Sequence, residues 1–305
     1  MSFIKKVKKG LKNPKKIFEF LLMKFGASID DELYLKILFY LRNGYKLDFN
    51  NPRTYNEKLQ WLKLYDEKAK KSSYLVDKYL VKDYVAKKIG EEHIIPTLGV
   101  WDNVNDIDFN NLPNQFVLKC THDSGGLVIC TDKSELDIEK SKNILKKSLK
   151  RSFYHFFREY VYKGVKPRII AEKYMIDEVD KELRDYKIFC FNGKPKIFMI
   201  ASGRQEGKNT TTFFDENFNK LNFTIGYSNA EYDYEKPKNF DKMMNLALQL
   251  SEGFMHVRVD FYSVDGQVYF GEMTFYHQAG LVPIKPIEWD YKMGEMLKLP
   301  VNKKE

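Results

Sequence analysis

Polar and apolar residues alternate one by one in two adjacent runs late in the chain, Val257–Tyr262 and Gln267–Met273, separated by Ser263-Val264-Asp265-Gly266. A period of two is the pattern of a strand, and an Asp-Gly pair between such runs is a strong turn signal. The pattern predicts a β-hairpin. It sends Val257, Val259 and Phe261 to one face and Arg258, Asp260 and Tyr262 to the other. Pairing about the turn brings Asp260 and Glu272 to about the same level. Two carboxylates with no nearby His or Cys favour a hard, oxygen-seeking cation, and Mg²⁺ in particular is held by one or two carboxylates plus substrate phosphates. Without a metal, the two acids are expected to crowd and repel each other. The plainer reading is a solvated hairpin whose acids keep it soluble.

Helical spacing covers 31–47 and 54–90, the second opening on Thr54 with Glu57 three residues on, as in a capping box. Leu59, Trp61, Leu62 and Tyr65 read as core, so no function is expected there, and Asp77, Lys78, Lys82 and Asp83 read as a solvated face. Ile94–Trp101 reads as a short strand, and 107–113 as an exposed run toward a lobe boundary near 114. Phe116–Cys120 and Leu127–Cys130 read as strands flanking a polar loop. Residues 135–163 read as a basic helix with its acids in the first turn, as the helix dipole favours. Arg168–Met175 reads as a strand, and Asp185–Phe191 with Pro195–Ala201 as a second hairpin about Asn192-Gly193, with Asp185 and Lys187 on one face.

The composition adds a scale and a charge. At 305 residues, with 43% hydrophobic, 15% aromatic and 30% charged, the chain suits two or three globular lobes. Cys120, Cys130 and Cys190 are too few and too far apart for a disulfide framework or a zinc knuckle, which fits a reducing compartment. A net charge of +9 asks for an anionic partner: nucleotide phosphate, acidic lipid, acidic glycan or nucleic acid. Basic and aromatic residues interleave in 135–163, yet the helix dipole explains their order, so nucleic acid is not expected. Residues 1–25 carry eight lysines against the single acid Glu19. This segment fits peripheral contact with an anionic membrane or, equally, a helix packed on the body and interrupted by Pro14. Its apolar run is too short and broken for a signal peptide, and nothing approaches the roughly 20 apolar residues of a membrane-spanning helix.

Candidate chemistry gathers around the polar loop. Ser124-Gly125-Gly126 lets backbone N–H groups approach phosphate oxygens, Ser124 adds a hydroxyl and Lys119 the matching charge. Such turns usually only reverse a strand, and no Gly-Lys-Ser/Thr follows at Walker spacing. His122 and Asp123 read as loop residues rather than a catalytic pair. Glu172, Lys173, Tyr174 and Met175 can present backbone to a purine edge while Tyr174 and Met175 cover the ring. Residues 203–212 have the composition of a mobile loop, or simply of an exposed one.

Taken in order, Asn51–Lys58, Phe116–Gly126, Asp185–Gly193 and Arg258–Gly280 make the chain resemble the ATP-grasp superfamily, specifically its TupA-like branch associated with teichuronopeptide and other cell-surface polysaccharide synthesis. The resemblance spans about residues 30–295. It implies an α+β, ATP-grasp fold: a basic segment (1–30), a helical amino-terminal region (31–114), a small lobe with phosphate loop and hinge (115–175) and a carboxy-terminal lobe with the metal site (176–305). The lobes' antiparallel sheets would sandwich ATP. The resemblance also assigns roles: Lys119 and Ser124-Gly125-Gly126 on the phosphates, Glu172 to Met175 as the adenine hinge, Asp260 and Glu272 as Mg²⁺ ligands, and Lys187 and Arg258 as the cations facing phosphate or the acyl intermediate. Two positions depart from the pattern. Thr274 stands where many of these enzymes have the Asn of Glu-x-Asn, implying a weaker or water-mediated second metal, and Thr121 where Asn is expected.

The chemistry implied is attack of a carboxylate on the γ-phosphate of ATP, then displacement of phosphate by an amine, one of the two substrates being glycan-linked. It needs charge neutralisation rather than a side-chain nucleophile. The alternatives are glycosyl transfer, which has no use for a phosphate-gripping loop opposite a hinge, and a non-catalytic nucleotide-binding module. The location expected is cytoplasmic, extending to the inner face of the membrane.

Overall fold

The computed structural model describes residues 14–177, 183–203, 207 and 209–300. Residues 1–13 of the basic segment, and positions 204–206 and 208 of the loop expected at 203–212, lie outside the described residues. The rest of that loop is partly strand, because Thr210–Thr212 pair with the preceding strand and Thr212 is fully buried.

Among the described residues five helices come first: α1 (Pro14–Phe25), α2 (Asp31–Asn43), α3 (Tyr55–Tyr65), α4 (Glu67–Lys70) and α5 (Val81–Ile89). The capping box at Thr54 forms, with Glu57 N–H bonding the Thr54 hydroxyl at 3.2 Å and the Glu57 carboxylate bonding Thr54 N–H at 3.0 Å. The helix expected over 54–90 does not run through. Asp66 accepts from Ala69 N–H, and Asp77 from Tyr79 and Leu80 N–H. Short acidic side chains thus satisfy free backbone donors and restart the chain. The same device splits 135–163 into α6 (Ile138–Leu149), capped by Asp137, and α7 (Phe153–Phe157), capped by Ser152 and ended by Arg158 at φ +54°.

A four-stranded antiparallel sheet, in the order β1 (Thr97–Trp101), β4 (Ile169–Lys173), β2 (Phe116–Cys120), β3 (Leu127–Cys130), carries its own core of Phe116, Leu118, Cys120 and Leu145. It recruits Thr97–Trp101, which precede residue 115. A second sheet holds six strands in the order β11 (Gln267–Thr274), β10 (His256–Val264), β5 (Asp185–Phe191), β6 (Lys194–Ser202), β7 (Thr210–Asp215), β8 (Lys220–Leu221). Two short strands, β9 (Thr224–Ile225) and β12 (Ile284–Lys285), pair apart from it.

Every residue of β5 is buried, so both its faces are covered. α8 (Phe240–Leu250) lays Phe240, Met243, Ala247 and Leu250 on one face. The opposite face carries Asp185 and Lys187 and continues into Arg258 and Asp260 of β10, because Lys187 pairs with Asp260 and Phe189 with Arg258. The closing helix α9 (Glu288–Met296) packs on α3.

Candidate active site

The β10–β11 hairpin forms as expected, with a two-residue turn in which Asp265 and Gly266 both have positive φ, as Asp-Gly allows. From that turn, unbroken register would place Gly271 opposite Asp260. A bulge intervenes between Asp260 and Phe261, and Glu272 pairs with Asp260 instead. An extra residue reverses the faces beyond it, and this puts Glu272 beside Asp260. Gly271 suits the bulge: a Cβ there would lie 3.1 Å from the Tyr262 ring and 3.2 Å from the Asp260 carbonyl.

Asp260 and Glu272 do not crowd each other as expected. Arg258 lies between them. Its Nε and Nη2 grip the two oxygens of Asp260 at 2.7 and 2.8 Å, and Nη2 also reaches Glu272 Oε1 at 2.9 Å and the Thr274 hydroxyl at 3.0 Å. Lys187 bonds Asp260 Oδ2 from the neighbouring strand and lies 3.5 Å from Asp185. Asp260 is 1% exposed, so its charge is carried by these two cations and not by water.

The expectation of no nearby His also fails. Arg258 Nη1 donates to His277 Nδ1 at 2.6 Å. Burial, then the charges of Arg258 and Lys187, hold His277 well below its ordinary pKa. The ring is therefore neutral and accepts at Nδ1. Sequence could not show this, since a turn separates His277 from β11. Directly after His277, Gln278, Ala279 and Gly280 all have positive φ, and the Ala279 and Gly280 carbonyls accept from Gln60, with Lys63 also on Ala279. So α3, where no function was expected, fixes one wall of the site.

On the small sheet, Glu172 of β4 is clamped between Lys119 Nζ at 2.7 Å and Lys82 Nζ at 2.6 Å. Burial acts to raise the Glu172 pKa, but the two lysines outweigh it and hold the carboxyl below its ordinary value. Lys82 comes from α5, so the solvated face read at 77–83 is wrong in three of its four positions. Lys82, only 12% exposed in its side chain, is paired with Glu172, Asp77 is fully buried against Arg168, and Lys78 donates to the Asp123 carbonyl at 2.8 Å. Asp77 also meets Thr121. Lys173 is exposed; Tyr174 and Met175 are half-buried beyond the strand end.

The glycine loop is built on Asp123, 4% exposed, which accepts from Gly125 N–H at 3.0 Å, from Ser148 and from Arg151. Gly125 N–H is thus already bonded. Gly126 is there for packing: an added Cβ would fall 2.5 Å from the Ser148 hydroxyl and 2.6 Å from the Cys120 sulfur. Ser124 remains exposed at the loop tip.

A cleft of about 420 Å³ separates the two sheets. Of the residues proposed from sequence, Ser124, Lys187, Arg258, Glu272 and Thr274 line it; Asp260 lies directly beneath Arg258 and Lys187. Lys119, Gly125, Gly126 and Glu172–Met175 lie outside its lining. The charge of Asp185, burial, then Glu272, Asp260 and Glu172 push the Tyr262 hydroxyl well above its ordinary pKa. Lys78, Arg42, His122 and His277, to which the sequence reading assigned no role in the site, also line the cleft.

The family resemblance implies a divalent cation at this site. Among the described residues no group of three His, Cys, Asp or Glu is placed to hold one. The oxygens of Asp260, Glu272 and the Thr274 hydroxyl are the right chemistry for Mg²⁺. Both Asp260 oxygens are already bonded to cations, whereas Glu272, which lines the cleft and is 37% exposed in its side chain, bonds through Oε1. The fit is to a cation held chiefly through Glu272, with ligand oxygens completing it.

Two antiparallel sheets enclosing a cleft, with a glycine loop on one and a cation–carboxylate hairpin on the other, define an ATP-grasp protein. The chain matches the family model of TupA-like ATPgrasp proteins over residues 57–298, and it belongs to that family. Among solved structures it is similar to D-alanine–D-alanine ligase from Bacillus anthracis at 17% identity, over 78% of this chain and 67% of the ligase, with a TM-score of 0.43. For the ATP complex of that ligase the figures are 17%, 66%, 54% and 0.38. For the ADP complex of N5-carboxyaminoimidazole ribonucleotide synthetase they are 15%, 79%, 56% and 0.43. The chain spans about half to two thirds of the length of these enzymes. No protein of curated function matches it.

Proposed function

We propose that the protein is an ATP-dependent ligase that joins a carboxylate to an amine, in the synthesis of a cell-surface polysaccharide. The observation that carries the reading is the hairpin face: Arg258 and Lys187 over Asp260, with Glu272 and Thr274 beside them, opening on a cleft closed on the other side by Ser124. ATP supplies the phosphoryl group that activates the carboxylate, and Mg²⁺ offsets the phosphate charge. Glu272 and Thr274 would hold the cation. Arg258, locked in orientation by Asp260, presents a guanidinium to negative charge developing on the transferred group or the carboxylate, with no reorganisation at the moment of reaction. Lys187 does the same from the adjacent strand. Lys119, with Ser124, would bind the phosphates, Gly125 and Gly126 would allow the loop to approach them, and Glu172 to Met175 would form the purine hinge. The polysaccharide setting rests on the family resemblance alone.

One observation favours a second reading, a nucleotide-binding module without turnover: Asp260 is fully neutralised by protein cations, and Thr274 offers no amide oxygen. For glycosyl transfer, the chain's Asp106-Ile107-Asp108 is the Asp-x-Asp sequence a sugar nucleotide metal would use. Asp108 instead accepts from Asn110 and Asn111 in an exposed turn outside the cleft. Incubation with Mg-ATP or UDP-sugars and an extracted acceptor separates the three. Release of ADP and phosphate that needs both a carboxylate and an amine supports the ligase; UDP release establishes transfer, and binding without turnover the module.

We also propose that α1 rests on an anionic membrane. Among the described residues of α1 only Leu22 is buried, while Phe18, Phe20, Leu21 and Phe25 are 43–65% exposed, and its one acid, Glu19, is paired with Arg42. No helix among the described residues is long and apolar enough to cross a membrane. Co-sedimentation with vesicles containing an anionic lipid, lost when Phe18, Phe20 and Phe25 become Ser, is the expected outcome. Equal pelleting of both proteins overturns it.

A further inference from the structure

Three acidic residues line the cleft among the described residues, and two of them are committed. Asp123 accepts from Gly125 and Ser148, and Glu272 from Arg258. Glu159 is different. It precedes the short turn Tyr160–Tyr162 after α7, where its side chain caps no backbone N–H. It is 5% exposed, yet its carboxylate has no hydrogen bond or ion pair with any described residue. Lys63 of α3 offsets its charge only from a distance, since that ammonium donates to Gln60 Oε1 and to the Ala279 carbonyl, both at 2.8 Å. Burial outweighs Lys63 and lifts the Glu159 carboxyl to about 7, so both of its protonation states are populated near neutral pH.

Tyr276 lines the same cleft and is 3% exposed; its buried hydroxyl also has no hydrogen-bond partner, and its ring lies 6.0 Å from Lys63 Nζ. Tyr162, whose N–H bonds the Glu159 carbonyl at 3.0 Å, and Phe157 add two more rings to the lining. The turn after Glu159 and the turn at His277–Gly280 both pack on α3, which brings these groups to one wall. A buried carboxylate and a buried hydroxyl without partners are costly unless something completes them. The completing group must bring hydrogens to both oxygens, and beside aromatic faces a cation is favoured over a neutral donor. An ammonium meets each condition. Mg²⁺ does not, because one carboxylate among rings supplies too few oxygens. The reacting groups adjoin this wall: His277, the residue after Tyr276, accepts from Arg258 at 2.6 Å.

We infer that Glu159, with the Tyr276 hydroxyl, receives the ammonium of the amine substrate and takes its proton. The inference rests on the ligase reading and assigns residues to its second substrate. In the step served, the ammonium passes one proton to Glu159, and the freed nitrogen lone pair bonds the carbonyl carbon of the acyl phosphate. The carbon–oxygen bond to phosphate then breaks with its electron pair staying on phosphate. That phosphate takes the second proton lost from nitrogen, and an amide remains.

The test compares two nucleophiles on the full chain, given Mg-ATP, an extracted acceptor and a mixture of amino acids that between them supply carboxylate and ammonium. The second nucleophile is hydroxylamine, which is largely uncharged at neutral pH and traps an acyl phosphate as a hydroxamate without needing a base. Glu159→Gln should lower the ratio of amine-dependent phosphate release to hydroxamate formation at least about a hundredfold, the usual worth of a general base. Equal losses with both nucleophiles would make Glu159 merely the counter-charge of Lys63 and overturn the assignment, as would no loss with either. Tyr276→Phe removes a hydroxyl that bonds nothing in the fold, so this variant should fold as the wild type does. It should raise the KM for the amine roughly tenfold relative to that for hydroxylamine, the scale of one hydrogen bond to a charged group. Should Glu159→Gln not fold, Tyr276→Phe decides alone, and an unaltered ratio of the two KM values overturns the assignment. A wild-type protein that forms neither product nor hydroxamate overturns the ligase reading instead.

Discussion

Each sheet of this protein carries a carboxylate held between two cations, and the two arrangements differ in what surrounds them. On the small sheet, Glu172 answers Lys82 and Lys119, an excess of one positive charge, and Lys119 keeps 22% of its side chain in solvent. On the large sheet, Lys187 and Arg258 serve three acids, Asp185, Asp260 and Glu272, and the central pair is almost completely buried. The first cluster has positive charge to spare for an anion. The second presents Glu272, 37% exposed in its side chain, to a cation. A nucleotide with its metal needs both. Burial decides which cluster also carries fold stability.

Asp260→Ala should have the largest effect. It strands Arg258 in a buried site and should cost about 3–5 kcal/mol in thermal or urea unfolding, along with all turnover. A similar or higher melting temperature, which mutual repulsion with Glu272 would have produced, would show that Arg258 does not depend on Asp260. Lys119→Ala is expected next. Lys82 remains to pair Glu172, so the protein should fold, while Mg-ATP affinity should fall roughly ten- to hundredfold by calorimetry, the worth of a hydrogen bond to a charged group. Unchanged affinity would make this cluster purely structural and end the comparison. Glu272→Gln should abolish metal-dependent turnover yet move unfolding by no more than about 1 kcal/mol, since its side chain is partly in water.

The smallest effect is in the pH dependence of stability. The ordinary pKa of His277 is 6.5, and burial and its cationic neighbours depress it in the fold. The unfolded chain then takes up a proton that the folded chain refuses, so this stability is complete above about pH 6.5 and is lost as pH falls toward the folded value. His256, pushed down to about 4 by burial, acts in the same window. Glu172, depressed from 4.5, contributes above that pH and loses its part only below it. From pH 7 to 5 His122, depressed by burial, titrates as well, and Glu159 and Asp290, raised by burial to about 7 and about 6, act in the opposite direction. The part of the slope that His277→Gln removes, in unfolding followed over that range, is therefore the report on the large-sheet cluster. A slope unchanged by that substitution would assign it to other groups.

Much of this was legible in the chain because it is local. The alternation of Val257–Tyr262 and the Asp265-Gly266 turn specify a hairpin, and Thr54 with Glu57 specifies a helix start, through contacts within a few residues. The breaks in the two long helical stretches were not legible, because Asp66, Asp77 and Ser152 can either sit on a helix or cap a new one, and packing chooses. The clamp on Glu172 was hidden for a related reason. Lys82 and Glu172 are far apart in sequence, and helical spacing by itself makes Lys82 look like surface.

The sequence by itself determined the two hairpins of the large sheet and the strands of the small one, the strand alternation that puts Arg258 and Asp260 on one face, the polar loop at Ser124 and the family to which the chain belongs. Tertiary structure alone decided that Arg258 separates Asp260 from Glu272, that a bulge at Gly271 turns Glu272 onto their face, and that His277 and α3 complete the wall. Strand periodicity is written into adjacent residues, but a bulge, a buried charge's choice of partner and a turn's final position are settled by competition among groups that meet only when the sheets have formed.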